Sequence, residues 1–339
     1  LSSLHDPFLF KDMEKTVGRI RSAIENKERI LIYGDYDVDG LTATALLYTT
    51  LERYGAHAVN YIPDRAKEGY GLNIEAVEKA YRDGAKLVIA VDCGVTAVEE
   101  VDSLKKHHID CIIIDHHQPI KDRLPDAFAI LDPLIPGCRY PYKHLASVGL
   151  VYKLAQALRK TMKDHEAAHY HIEEDLDLVA LGTISDVAPL TGENRILVKH
   201  GLKYLAETRR PGLRALMEVA GIGRKKEFYT ETVGFILGPR LNASGRMNSS
   251  MHSLKLLLTG DKEEARGLAV ELDKSNRERQ AMEAVILKEA ISKVEREVNF
   301  KEHKVIVLHG DKWHPGVIGI VSSRIVEKCY RPTILVAFN

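Results

Sequence analysis

Short, unbroken apolar runs recur along the first part of the chain, at 30–33, 58–62, 87–91, 111–114 and 128–131. Between them the apolar spacing relaxes to a helical rhythm at 41–54, 73–82, 95–107 and, beyond the Pro/Gly-rich loop that opens at Asp132, at 148–163. This alternation predicts a parallel sheet with helices on its faces. Asn73 and Thr96 stand where they would cap two of the helices. A helical pattern continues over 173–220, interrupted around Gly182 to Pro189. Residues 261–298 read as one long, highly charged helix with apolar positions such as Leu268, Leu272, Ala281, Val285, Ile286 and Ile291, which suits a solvated bridge between lobes. A smaller α/β lobe then begins. It has a strand at 305–309, a glycine-bearing turn at 313–319, a helix to Lys328 and a strand at 333–337. The expected division is a main body over 1–260, a connecting helix over 261–298 and the start of a second lobe over 299–339.

Three apolar runs end in acid or imidazole. The first runs into Asp35, Asp37 and Asp39, the second into Asp92, and the third into Asp115-His116-His117. Extended chain would aim alternate side chains of the first set at one place, and in open sheets ligands bind beyond the carboxyl ends of the strands. Desolvated carboxylates gathered there repel one another unless cations lie between them. Mostly oxygen donors with one imidazole suit Mn²⁺, and Mg²⁺ less well, whereas zinc would show more His or Cys. Four or more Asp also exceed what one ion requires. Two divalent ions about 3.5–4 Å apart form the arrangement that hydrolyses phosphoesters. The other histidines read differently: His107, His108, His165, His169 and His171 lie in polar segments, as solvated faces do.

Bulk composition narrows the class. The 339 residues carry 48 basic and 48 acidic side chains, so any polyanion site must be local. One local excess exists between Lys199 and Lys226, where eight Lys/Arg face only Glu207 and Glu218. Four scattered cysteines argue against a zinc ribbon or disulfide framework and fit a reducing cytoplasm. No apolar run approaches the ~20 residues of a membrane helix, and no signal peptide is visible. Both chain ends read as boundaries within a longer protein.

The motifs Asp35-x-Asp37-x-Asp39-Gly40, Val91-Asp92-Cys93-Gly94, Asp115-His116-His117 and Gly182-Thr-Ile-Ser-Asp186 together resemble those of the DHH phosphoesterases. The similarity to RecJ-type single-strand-specific exonucleases covers essentially the whole chain. The resemblance implies a parallel-sheet DHH catalytic domain, a long helix and a smaller α/β DHH-associated domain, cut short at residue 339. It implies Mn²⁺ or Mg²⁺, two ions per site. Asp37 and Asp92 would hold one ion with Asp35 close by, and Asp39, Asp92, His116 and Asp186 the other. His117 would face the scissile phosphate, with Asp115 orienting a histidine. Asp186 by itself reads as a turn residue, and only the resemblance promotes it.

Substrate contacts are expected from Arg240, Asn242, Ser244 and Arg246 in a Gly/Pro-containing loop. A second set, His314, Ser322 and Arg324, lies around a glycine turn and helix start. Arg65 would join a pocket for a 5′ phosphate. Tyr70, Tyr140 and Trp313 are either base-stacking or packing residues. The implied activity is 5′→3′ hydrolysis of single-stranded DNA to 5′-mononucleotides in repair and recombination. The implied partners are single-stranded DNA and a helicase or single-strand-binding protein, with the chain itself a monomer and not on a membrane. The alternatives are an oligoribonuclease or small-nucleotide phosphodiesterase of the same superfamily, or a non-catalytic nucleic-acid-binding relative. Tyr33 stands four residues before Asp37, where pyrophosphatases of the superfamily carry His, which disfavours that activity. The chain contains no oligonucleotide-binding barrel, so the core is expected to bind DNA weakly.

Overall fold

The computed structural model of the protein describes residues 1–64, 68–121, 123–223, 227–247 and 250–338. Strands β1 (Arg29–Gly34), β2 (His57–Tyr61), β3 (Leu87–Val91), β4 (Asp110–Ile114) and β5 (Ala129–Leu131) form one parallel sheet in the order β2-β1-β3-β4-β5. The order in which the chain adds strands reverses between β1 and β3, which opens a crevice at the carboxyl ends of those two parallel strands.

Both sheet faces are buried, and the two-residue period of the strands sorts their side chains. Ile30, Ile32, Leu87, Ile89, Ile112 and Ile114 join the larger core, with α1 (Met13–Glu25), α2 (Val38–Arg53) and α5 (Ser147–Thr161). Leu31, Tyr33, Val88, Ala90, Cys111 and Ile113 face α3 (Ile74–Arg82) and α4 (Val98–Lys106). Asn73 caps α3, accepting from the Ala76 amide at 2.8 Å. The expected Thr96 cap does not form: the cap position of α4 is Ala97, without a side-chain bond.

Helices α6 (Leu176–Ser185), α7 (Gly192–Ala206) and α8 (Pro211–Val219) complete the main body with α9 (Gly238–Met247) and α10 (Met251–Leu258). The Gly/Pro segment expected as a loop is helical. A π turn over Val233–Leu237 leads directly into α9. Pro239 lacks an N–H and cannot extend a regular ladder, and a π turn just before it takes up that break.

The long helix α11 (Lys262–Glu297) starts at Asp261, whose carboxylate accepts from the Glu264 amide at 2.7 Å. It is not a solvated bridge. Ala265, Leu268, Ala269 and Leu272 enter the main core, while Ile286, Ala290 and Val294 enter the core of the second lobe. One helix thus serves two cores with different stretches of its length. The second lobe pairs β6 (Ile306–Gly310) with β7 (Thr333–Ala337) in parallel and packs α12 (Pro315–Cys329) against them. The expected glycine turn is mostly helix, because Pro315 starts α12 with His314 as its cap. Trp313 is buried in this lobe and donates to Glu289 at 3.0 Å, so it is packing and not a stacking surface.

Candidate metal centre

Register sets the site. Gly34 pairs with Val91, Val91 with Ile114, and Ile114 with Leu131. The residues just beyond them, Asp35, Asp92, Asp115 and Asp132, therefore end four adjacent strands in a row, all buried.

Asp37 and Asp39 arrive by a different route from the extended run expected. Asp37 caps α2, accepting from the Gly40 amide at 3.0 Å, and Asp39 lies in the first helical turn. Gly40 permits this sharp entry, since a Cβ there would come within 2.7 Å of the Asp35 Cβ and carbonyl oxygen. The Asp39 carboxylate accepts from the amides of Ser147 at 2.6 Å and Val148 at 2.9 Å, at the positive end of α5. Asp92 adopts a left-handed backbone, φ 64°, fixed by its amide's bond to the Ile114 carbonyl at 2.9 Å. Such a conformation costs on the order of 1–3 kcal/mol and persists where the surroundings impose it.

Asp186 ends α6, and α6 reaches α2 closely through Gly182. A Cβ at Gly182 would lie 2.3 Å from Thr42 Oγ1 and 3.0 Å from Asp39 Oδ1. The result is a shared cluster. His116 Nε2 lies 3.3 Å from Asp92 Oδ1 and 3.9 Å from Asp39 Oδ2, and its Nδ1 lies 4.0 Å from Asp186 Oδ2. Ligand atoms of Asp35, Asp37 and Asp92 form one compact group, and those of Asp39, His116 and Asp186 another, each within 4.8 Å.

Burial first, then neighbouring carboxylates, raise Asp39 and Asp92 well above the ordinary range. Burial and Asp37 push Asp186 up to about 6. Burial lowers His116 to about 4, leaving a neutral imidazole with lone pairs to give. Among the described residues, Asp92 Oδ1 and His116 Nε2 are buried without a hydrogen-bond partner. Acidic oxygens that favour protonation, a neutral imidazole and unmet buried acceptors are what a hard divalent cation would satisfy. The residues fit the metal.

His117 differs from its neighbour. Its Nδ1 lies 2.7 Å from Asp115 Oδ1, and that bond raises it to about 9, against the opposing effect of burial. Asp115 is itself lowered: burial works to raise it, but His117 and the Val95 and His117 amides outweigh that. Its oxygens also take the His116 amide at 2.8 Å. On the outer side of His117, Nε2 is 3.2 Å from the Tyr70 hydroxyl. Asp132 was not singled out from sequence, though it ends the fifth apolar run as the others end theirs. One of its oxygens accepts from the Leu134 amide at 2.6 Å, the other is buried without a hydrogen-bond partner among the described residues, and burial pushes it up to about 7.

The expected substrate residues divide. Asn242, Arg246 and Arg324 line one cleft of about 330 Å³ between the main body and the second lobe, beside Ser185. Two buried residues of α11 that sequence reasoning missed, Arg279 and Glu283, line it too. Glu283 meets Arg279 and Arg324, each at 2.6 Å. Arg240 instead pairs with Asp273 at 3.0 Å and the Ile236 carbonyl at 2.7 Å. Ser244 is buried against Ser253 at 2.7 Å, because its segment is helix rather than loop. The Ser322 hydroxyl is spent on the Thr333 carbonyl at 2.8 Å, and His314 Nδ1 accepts from the Gly316 amide at 3.1 Å as a cap. Tyr140 is buried on Phe10 with its hydroxyl on Glu193. Arg210, in the basic stretch, is committed to Asp175 and Asp177. Arg65 and residues 224–226 of that stretch lie outside the described residues.

Residues 29–183 match the family model described as DHH family, N-terminal domain. A solved structure of exonuclease RecJ bound to manganese superposes with a TM-score of 0.84 at 37% identity, covering 97% of this chain and 80% of that one. The chain belongs to the DHH family. A RecJ from Thermus thermophilus in complex with Mg²⁺ superposes at 0.73 with 32% identity, over 97% of this chain and 43% of that one. The single-stranded-DNA-specific exonuclease RecJ of Bacillus subtilis is 44% identical over 338 residues, which is all of this chain and 41% of that protein. This DHH chain thus spans about two fifths of that relative's length.

Proposed function

We propose that this chain is a metal-dependent phosphodiesterase that shortens single-stranded DNA from its 5′ end, releasing 5′-mononucleotides. The observation that carries the reading is the cluster around Asp92: buried carboxylates raised toward protonation, a neutral His116 within 3.3 Å, and unmet ligand atoms, all beside an arginine-lined cleft. The names of the RecJ relatives supply the substrate class. Asp37 and Asp92, with Asp35 close by, would hold one Mn²⁺ or Mg²⁺, and Asp39, Asp92, His116 and Asp186 a second. Bound there, the pair supplies an acidified water and neutralises charge developing on the phosphoryl oxygens.

The remaining roles belong to the chain's own side chains. His117, kept protonated by Asp115, offers its Nε2–H toward the phosphate or the leaving oxygen. Asp115 keeps that ring in place. Arg246, Arg324 and Asn242 bind the strand's phosphates in the cleft. The same reading has the chain act in the cytoplasm, as a monomer, in repair and recombination, with a helicase or single-strand-binding protein supplying strands. A non-catalytic role is disfavoured because every expected ligand position keeps an Asp or His.

The test is digestion of end-labelled single strands bearing a 5′ phosphate or a blocked 5′ end, in Mn²⁺ and in chelator. Mononucleotides should appear only with metal and an open 5′ end, and Asp92→Ala should abolish them. Release from blocked ends at the same rate would reject the polarity, and hydrolysis in chelator would reject the metal.

A further inference from the structure

On the rim of the interlobe cleft stands an aromatic ring with no role in the folded core. Phe235 is 79% exposed and lines the cleft together with Ser185, Asn242, Arg246 and Arg324. It lies in the π turn, whose flanking Val233 and Leu237 are fully buried. The extra residue in that turn leaves the anchors in place and turns Phe235 outward. A phenylalanine presented to water forgoes burial worth roughly what any core Phe contributes, and a flat partner that covered its ring in the cleft would recover it.

A second exposed apolar side chain, also on unusual backbone, belongs to the segment just after α6. Val187, 85% exposed, has φ 59°, a strained conformation for a β-branched residue, and directly follows Asp186. The two segments touch where Ile184 lies 3.9 Å from the Cβ position of Gly234. Phe235 thus shares the cleft with Arg246 and Arg324, on a segment that packs against the end of α6, and Asp186 of the carboxylate cluster directly follows that helix. Aromatic faces interleaved with cations along a groove are how single strands are held without reading their sequence, since every base has a π face.

We propose that Phe235 is a base platform: a nucleobase of the strand stacks on its ring while neighbouring phosphates lie against Arg246 and Arg324. This rests on the single-strand reading given under Proposed function, and adds to it a residue that binds bases rather than phosphates. Selectivity for unpaired strands follows for any base beyond the terminal pair, because a base stacked on both sides within a duplex offers no free face to the ring.

The experiment is an abasic scan with the whole chain in Mn²⁺. Short 5′-phosphorylated single strands carry one tetrahydrofuran residue at successive positions, and kcat/KM is measured for the natural sequence, Phe235→Ala and Phe235→Trp. Melting curves check that each variant folds. Phe235→Ala should lose about fivefold to a hundredfold on intact strands. At one position the abasic residue should cost the natural protein a similar factor and Phe235→Ala almost nothing further, and Phe235→Trp should restore both the rate and the abasic sensitivity. Equal abasic losses in all three proteins at every position would overturn the platform while leaving the exonuclease reading intact. A natural chain that leaves intact strands undigested would reject the reading and the platform together.

Discussion

His117 Nδ1 lies 2.7 Å from Asp115 Oδ1, while the adjacent His116 faces Asp92 at 3.3 Å through its Nε2. One hydrogen bond separates the chemistry of two neighbouring imidazoles. His117 is held as a cation, raised to about 9, and His116 as a neutral donor of electrons, lowered to about 4. In chelator, the two rings should titrate far apart when followed by NMR. Asp115→Asn should bring the His117 midpoint down toward an ordinary imidazole and reduce turnover by about 10–100-fold, the usual loss when the partner that orients a site histidine is removed. An unchanged His117 midpoint in that variant would reject the pairing. The stability sign follows. A raised folded pKa gives a contribution present below the ordinary imidazole range and lost as pH climbs through about 9.

The carboxylates carry the opposite penalty. Asp39, Asp92 and Asp186 are all raised, so the metal-free protein takes up protons that the unfolded chain would not. Its melting temperature in chelator should therefore rise as pH falls through about 6, the Asp186 value, toward the ordinary carboxylate range, the reverse of ordinary acid behaviour. Asp92→Asn removes one repelling charge and should raise the melting temperature of the metal-free protein. Mn²⁺ should then raise the melting temperature of the natural chain strongly and that of the variant little. If Mn²⁺ stabilised both equally, Asp92 would not be a ligand.

Helix contact geometry fixes Asp186 as firmly as sequence fixes Asp35. Gly182→Ala would place a methyl against Thr42 and Asp39, pushing α6 away from α2 and Asp186 away from His116. The expected cost is about 1–3 kcal/mol, together with weaker Mn²⁺ binding in calorimetry. Gly267→Ala on α11 is the control, since its Cβ would meet nothing within 4 Å. There the gain in helix propensity should leave stability level or up to about 1 kcal/mol higher. Matching losses in both variants would show that the Gly182 contact has no special weight.

Strands and their acidic ends were legible because buried parallel strands are written as unbroken apolar runs, and the residue after each run inherits the sheet's register. That is why the sequence alone places Asp35, Asp92 and Asp115 together. Asp39 lies in the cluster by a route that alternation along a strand does not describe, since its carboxylate reaches there from a helical turn held by the Ser147 and Val148 amides. Ser244 and Arg240 were misread because glycine and proline suggest loops, whereas a π turn lets helix continue through Pro239. Arg279 and Glu283 were invisible. In a helix charged along its whole length, nothing local distinguishes buried charges from solvated ones, and these two are buried only where the main body and the second lobe meet against α11.

Asp132 gives a prediction clear of the proposed ligands. It ends β5 fully buried, with one oxygen satisfied by the Leu134 amide and burial pushing it up to about 7. Its ionised form is therefore the costly one. Between the unfolded carboxylate range and about 7 the folded state holds a proton that the unfolded state has lost, so stability falls as pH rises through that window and is level above it. Asp132→Asn keeps the Leu134 bond, cannot ionise, and should melt higher than the natural chain at pH 8. That advantage should shrink steadily and vanish near pH 4, where both forms carry a neutral side chain. Paired melting curves in chelator across that range isolate the effect, because every other titrating group is common to both proteins. A constant difference between the two, or one that grows as pH falls, would mean that Asp132 is ionised in the folded protein and that its charge is satisfied by a partner.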